Sequence, residues 1–253
     1  MFKIYHDFKH NIFEKSLTIL SDAKHSLKFI NKFKKNRKTL LDIGCGSGIF
    51  LNEAITNKLQ VSGIDISSKM VNYLKSKYNF PVYLGDIVST KISYLNDIVS
   101  LNQVIEHFSK PRTLIKRCYK LLNKNGLIYI ATPNVGSLVS KIRKEKFDYV
   151  IPPEHLSYFN KTTLNTLLTS EGFKVLKFNT WSYPVDLAGL IKHLLKRDNH
   201  IEAINTGKKS KIQNFNIKRI KYFLFDQLFC RLFYKVLNIN NGGTMIEVIA
   251  QKI

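Results

Sequence analysis

The run Leu40-Leu-Asp-Ile-Gly-Cys-Gly-Ser-Gly48 constrains this chain more than any other stretch. Leu40, Leu41 and Ile43 make a short apolar strand. The three glycines that follow can take positive φ and carry no Cβ toward a ligand. Ser47 is placed to cap a helix running from Ile49 to about Asn57. A strand, a glycine turn and a helix N-terminus in that order build a ligand crevice at the carboxyl end of a parallel strand. A dinucleotide turn reads G-x-G-x-x-G. Here the pattern is G-x-G-x-G, and Ile49 stands where the third glycine would be. Asp65, closing Val61-Ser-Gly-Ile-Asp65, follows the turn by about 20 residues, the spacing at which a carboxylate meets ribose hydroxyls.

The rest of the pattern alternates short β-rich runs with helical ones, which implies an α/β fold: a mostly parallel sheet with helices on both faces. Strands are expected near 38–43, 60–64, 81–84, 96–101, 126–132 and 173–180, and helices near 48–57, 68–77, 110–122 and 161–171. Asn123-Lys-Asn-Gly126 should end one helix and turn into the next strand. Before this core, up to about Arg37, Leu17, Leu20, Leu27 and Ile30 fall mostly at helical spacing between lysines. After it, 181–240 reads as a helical stretch near 184–196, a basic polar linker, and an aromatic helix near 217–237. Thr244–Gln251 then forms a last strand behind the turn Asn240-Asn-Gly-Gly243.

At this point the chain resembles a family. Leu40–Gly48, Gly63-Ile-Asp65-Ile-Ser67, Gly85-Asp86-Ile87 and Asn96–Phe108 are similar to the successive motifs of class I S-adenosylmethionine-dependent methyltransferases. Leu121–Asn134 resembles that family's fifth strand with its lead-in. Within the family the chain is most similar to a bacterial branch holding ubiquinone-pathway O-methyltransferases and methyltransferases of surface polysaccharides. Pro152-Pro-Glu-His-Leu-Ser-Tyr-Phe159, followed by a helix ending Ser170-Glu-Gly-Phe173, suggests the polysaccharide side. The resemblance implies a Rossmann-like seven-stranded sheet, with the last strand antiparallel between the fifth and sixth. The chain then divides into an N-terminal helical segment (1–37), a cofactor-binding core (38–180), a helical basic insertion (181–240) and the final strand (241–253).

The resemblance also assigns roles. The cofactor is S-adenosylmethionine, already activated, so the protein mainly binds, aligns and excludes water. Asp65 should accept from both ribose hydroxyls, since an ionised carboxylate only accepts. Gly44 and Gly46, with Cys45 packed between them, should let the backbone approach the amino-acid end. Asp42 has two readings: indirect orientation of that end, or a buried turn former. By resemblance Asp86 contacts the adenine amino group, and Ile66 and Ile87 enclose the ring. Asn102 faces the methionine part, and Gln103 begins the loop over the acceptor. A hydroxyl acceptor would profit from a general base, and histidine is the natural one near neutral pH. Two candidates follow strands at the carboxyl edge: His107 in Glu106-His-Phe and His155 in Pro153-Glu-His-Leu. A structural role competes for each, and Glu106 and Glu154 are the fallback bases. His6, His10, His25, His193 and His200 read as surface residues. No His-Glu-x-x-His or similar spacing points to a metal.

Composition bears on partners. The net charge of +22 over 253 residues is unusual. Attraction to phosphate explains it, and so does an AT-rich coding sequence that enriches Lys, Asn and Ile together. The basic residues are spread out and form no nucleic-acid module. The place after the fourth strand reads Leu101-Asn-Gln-Val104, not the Asn/Asp-Pro-Pro-aromatic motif of amino-methylating nucleic-acid enzymes, so a nucleic-acid partner is disfavoured. An oxidoreductase using NAD or a nucleotide sugar is the other competing class, opposed by the missing glycine and by Gly85-Asp86. Three widely spaced cysteines argue against a disulfide framework and fit a reducing cytosol. No uninterrupted apolar run reaches membrane-spanning length. The helix expected at 217–237, apolar over more than half its circumference with basic residues on the rest, suits core or dimer packing. Peripheral contact with the inner face of a membrane is the second reading. A small-molecule or glycan acceptor is expected, and the oligomeric state is left open.

Overall fold

The computed structural model describes residues 12–183 and 242–253, with Asp186 and Leu190 between them, and side chains from Thr18 onward. The expected helices near 184–196 and 217–237 and the linker between them therefore lie largely or wholly outside the described residues, as does Cys230.

Seven strands form one sheet in the order β3-β2-β1-β4-β5-β7-β6. They are β1 Thr39–Ile43, β2 Gln60–Asp65, β3 Val82–Leu84, β4 Asn96–Asn102, β5 Leu122–Pro133, β6 Phe173–Trp181 and β7 Met245–Lys252. The first five are mutually parallel. β7 runs antiparallel to both β5 and β6, and so lies between them as the resemblance implies. The helices are α1 Ile12–Lys34, α2 Ile49–Thr56, α3 Ser68–Lys77, α4 Pro111–Leu121, α5 Leu138–Arg143 and α6 Lys161–Ser170.

The central strands are near-continuous apolar runs because both faces of a parallel sheet are covered. Alternation then sends neighbours to opposite cores. Leu41, Val99, Ile128 and Ile130 meet Leu114, Ile115 and Cys118 of α4 and Leu164 and Leu168 of α6. Leu40, Ile98, Leu127 and Tyr129 meet Leu27 and Ile30 of α1, Leu51 and Ala54 of α2, and Leu74 of α3. The sequence sets the helix starts locally. Pro111 opens α4 at a position where its missing N–H costs nothing. Asn160 and Thr163 cap α6 reciprocally.

Three expectations are corrected, and one helix was not foreseen. Ser47 does not cap α2: the capping position is Gly48, at φ 73°, with no side-chain bond to the helix. The cluster 123–126 is not a simple turn before β5. Leu122 already pairs with Asn96, and the ladder resumes at Leu127 opposite Ile98, so these four residues bulge out between the two pairs. A Cβ on Gly126 would lie 2.9 Å from the Asn123 carbonyl oxygen, and only glycine lets the bulge close this tightly. The short helix α5 had no counterpart in the sequence pattern. His25 is not a free surface residue. Its Nε2 lies 3.0 Å from Glu247 Oε1 and its ring packs 4.6 Å from that of Trp181. Glu247 sits on β7, fully buried, so α1 is docked on the sheet through a polar anchor that helical periodicity alone cannot reveal.

Candidate active site

The glycine turn leaves β1 and is tied to β2: Gly44 N–H and Cys45 N–H both donate to Ile64 O, at 2.8 and 3.2 Å. Gly44 takes φ 71°, and a Cβ there would lie 2.6 Å from Val104 Cγ2, so the turn and the loop after β4 press together. Gly46, at φ 49°, is different. Its imaginary Cβ meets nothing nearer than 4.0 Å, so its backbone lies open to the crevice. Cys45 packs against Gly63 and is buried. Burial pushes its thiol pKa up, helped by the carboxylates of Asp42 and Asp65, which keeps it a protonated packing group.

Asp65 ends β2 with both oxygens engaged. Oδ2 accepts from Gly46 N–H and Oδ1 from Ser67 N–H, each at 2.8 Å. Each carboxylate oxygen keeps a further acceptor direction, so the residue is oriented by backbone and still able to receive hydroxyls. Asp86 stands exposed beyond β3, with Oδ1 accepting from Val88 N–H at 2.8 Å. The two flanking isoleucines differ. Ile66 is 63% exposed at the surface, whereas Ile87 is buried in the core and has little surface left for a ring. Leu84 and Val88 are the other exposed apolar side chains around Asp86, and the sequence reading missed them. Their exposure depends on how the loop after β3 turns, which no local periodicity records.

Asp42 lies buried under the turn, accepting from Ser100 Oγ at 2.7 Å. Burial pushes its pKa up to about 7, against the Ser100 hydroxyl and the Asn102 amide, with the Asp65 carboxylate adding to the rise. Any influence it has on a ligand passes through the turn above it. Asn102 ends β4. Its Oδ1 accepts from Ser26 Oγ at 3.3 Å, while its buried Nδ2 makes no hydrogen bond of normal geometry and faces the Asp42 carboxyl, whose ionised form it favours. Gln103 follows at φ 52°, exposed, with its N–H held by Ala131 O at 2.8 Å. These placements fit S-adenosylmethionine at three points: an open glycine turn, an oriented carboxylate and an exposed apolar lip.

The two candidate bases, far apart in sequence, come together. The rings of His107 and His155 lie 5.0 Å apart, edge to face. His107 Nδ1 is 2.8 Å from Glu154 O, and His155 Nδ1 is 2.8 Å from Tyr149 O. A carbonyl can only accept, so each Nδ1 carries a proton, and in the neutral ring Nε2 is then the atom with the lone pair. Burial lowers the pKa of His155, with the neighbouring His107 adding to the fall and the Tyr149 carbonyl opposing it. Glu106 is buried beneath them. Thr132 Oγ1 donates to its Oε2 at 2.9 Å, while Oε1 has no partner. Burial raises its pKa, against its own backbone N–H, His107 and Thr132. Glu154, the other fallback base, is exposed, and its carbonyl rather than its carboxylate enters the cluster. The aromatics expected at the mouth separate: Tyr158 is exposed and Phe159 buried, Tyr149 packs against Phe147, and Trp181 and Tyr183 turn toward α1.

The sequence pattern of the methyltransferase-domain family matches residues 13–177, well over half of the chain. Among curated proteins, the ubiquinone biosynthesis O-methyltransferase of Coxiella burnetii (strain Dugway 5J108-111) is 24% identical over 173 residues, 64% of this chain and 70% of that protein. The protein of the same description from Pelagibacter ubique is 32% identical over 123 residues, 46% of this chain and 49% of that one. That from Nitrosomonas europaea is 26% identical over 106 residues, 39% of this chain and 45% of that protein. Alignment with the latter two thus spans about half of their length. Among solved structures, a methyltransferase described as dependent on S-adenosylmethionine, from Archaeoglobus fulgidus, superimposes with a TM-score of 0.58 at 22% identity, covering 94% of both chains. The magnesium protoporphyrin IX methyltransferase of Synechocystis PCC 6803, solved with S-adenosylhomocysteine bound, does so at 0.57 and 14% identity, covering 99% of this chain and 91% of that one. The oxidoreductase alternative is set aside by the family match. The chain belongs to the methyltransferase-domain family, and its sheet order and glycine crevice are those of the class I, S-adenosylmethionine-dependent branch.

Proposed function

We propose that this protein transfers a methyl group from S-adenosylmethionine to a hydroxyl of a small molecule or glycan precursor. The observation that carries the reading is a juxtaposition: the glycine turn presses on Val104, three residues before His107, and His155 closes on His107 from a separate loop. The cofactor crevice and a pair of imidazoles with free Nε2 atoms are thereby built against one another. The relatives described as ubiquinone biosynthesis O-methyltransferases support oxygen as the accepting atom. The exposed side chains of Ile151, Leu156 and Tyr158, close to His155 in the chain, support an acceptor with an apolar part.

The sulfonium of the cofactor supplies an activated methyl group, so the residues need only align and deprotonate. Asp65 and the Gly44–Gly46 backbone hold the nucleoside and amino-acid ends, with Asn102 at the end of β4 beside the methionine part. Asp86, Ile66 and the apolar residues around them take the adenine. The acceptor oxygen approaches in line with the carbon–sulfur bond. As the new carbon–oxygen bond forms and the old bond breaks, the hydroxyl proton passes to Nε2 of His155 or His107. Pre-alignment of this kind is worth orders of magnitude in rate.

Calorimetric titration with S-adenosylhomocysteine tests the cofactor assignment. Micromolar binding is expected, weakened roughly 100-fold in Asp65→Ala, the size of two lost charge-assisted hydrogen bonds. Binding of NAD instead, or an unaffected variant, sinks the reading. With binding established, methyl transfer from labelled cofactor to phenols and to sugar hydroxyls separates the acceptor classes.

A further inference from the structure

We infer that Glu106, His107 and His155 form a site for one divalent transition-metal ion at the mouth of the crevice. One ligand atom from each of the three lies within 4.8 Å of the others. Their preparation goes further than proximity. Both imidazoles have Nδ1 tied to a backbone carbonyl at 2.8 Å, the arrangement that fixes the tautomer and ring orientation of metal-binding histidines. Each Nε2 is therefore left as a donor atom toward an ion. Glu106 is 2% exposed, with one oxygen held by Thr132 and the other bare. An unsatisfied buried acceptor destabilises a fold, and an ion would satisfy it.

The supporting loops are fixed to each other. Leu156 N–H and Ser157 N–H both donate to Glu106 O, at 2.8 and 3.0 Å, and Ser157 Oγ donates to Phe108 O at 2.7 Å. The segment carrying His155 is thus clamped to the segment carrying Glu106 and His107. Two nitrogens and one carboxylate oxygen favour zinc, iron(II) or cobalt over magnesium or calcium, which prefer oxygen. Bonds of about 2.1 Å bring such ligands to about 3.4 Å from one another, closer than the 4.8 Å span of this cluster, so binding would draw the side chains together. His107 is exposed, which leaves coordination positions open on the solvent side. No short motif announces the set, because its members come from two loops far apart in sequence. The consequence for catalysis rests on the reading above: an ion here would bind the acceptor oxygen and lower its pKa, the proton leaving to buffer instead of to an imidazole.

The test uses the full chain, untagged and stripped with a chelator. Co2+ is titrated by visible absorption, and Zn2+ by competition with a chromogenic chelator. One equivalent should bind in the micromolar range or tighter. His155→Ala and Glu106→Gln should each weaken it at least 10-fold, while Asp65→Ala leaves it in place. Melting curves of the same variants show that they are folded, and S-adenosylhomocysteine titration of the unaltered chain tests the cofactor reading separately. His107→Ala, at an exposed position, keeps the test decisive if the buried Glu106→Gln variant does not fold. Absence of a saturable equivalent, or its retention in folded His155→Ala and His107→Ala, overturns the inference while leaving the methyltransferase reading intact. Metal binding without S-adenosylhomocysteine binding would do the reverse.

Discussion

Gly44 and Gly46 look alike in the sequence, yet the structure gives them different work. A side chain at Gly44 would run into Val104 and force an L-residue to hold φ 71°. Gly44→Ala should therefore cost about 2 kcal/mol and lower the melting temperature by roughly 5 °C. A methyl at Gly46 meets open space, so Gly46→Ala should lose about half as much stability. Its affinity for S-adenosylhomocysteine should still fall 10-fold or more, because the methyl occupies the ligand's side of the turn. Melting curves and calorimetry on the two variants check the contrast, and equal losses of stability would refute it. Cys45 between them offers no chemistry, since burial holds its thiol protonated.

α1 is more than a cover for one face of the sheet. Its Ser26 hydroxyl donates to Asn102 Oδ1 and lies 2.8 Å from the Tyr129 hydroxyl, itself 2.8 Å from Glu247 Oε2. Glu247 is also met by His25 and by Asn179 Nδ2, at 3.0 and 2.7 Å. This buried chain runs from β7 through α1 to the end of β4, and it fixes the orientation of the Asn102 amide. Ser26→Ala should release that amide and weaken S-adenosylhomocysteine binding by roughly 3–10-fold, the value of one ordinary hydrogen bond. The melting temperature should move little. An unchanged dissociation constant would show that Asn102 is held by its own strand alone.

At the scale of the whole molecule, two charge effects can be separated. Asp42 has its folded-state pKa raised to about 7, well above the ordinary carboxylate value. Between those two values the native state holds a proton that the unfolded state has lost, so this group's contribution falls as pH rises through that window. Asp42→Asn keeps an acceptor for Ser100 and cannot ionise. It should gain on the wild type between pH 5 and pH 8, by up to about 3 kcal/mol. Parallel urea titrations at the two pH values should show the gap widening with pH, and a constant gap would refute the assignment. The net charge of +22 acts at longer range. If it serves a membrane surface, the full chain should pellet with anionic vesicles at low salt and be released as salt screens the attraction. No co-sedimentation would leave codon bias as its origin. Among the described residues no helix is long and apolar enough to cross a membrane.

The sequence by itself determined the sheet, its helices and the cofactor crevice, because these are written locally. Apolar runs of strand length, the glycine turn, Asp65 about one βα unit later and the capping residues of α6 all act within a few neighbours. Even the antiparallel last strand was legible, through resemblance of the preceding motifs to a family that places it there. The polar contacts that cross the fold were not. His25 reads as one more surface residue of an amphipathic helix until Glu247 is brought to it from 222 residues away. His107 and His155 read as competing bases, and only the clamp between Glu106 and the 154–157 loop makes them one cluster over a buried carboxylate. The same holds for Ile87, which its motif assigns to the adenine and the packed sheet assigns to the core. Hydrophobic periodicity and turn chemistry are short-range and repeat along the chain. Hydrogen bonds between distant segments depend on register and helix rotation, and those are settled only when the layers pack.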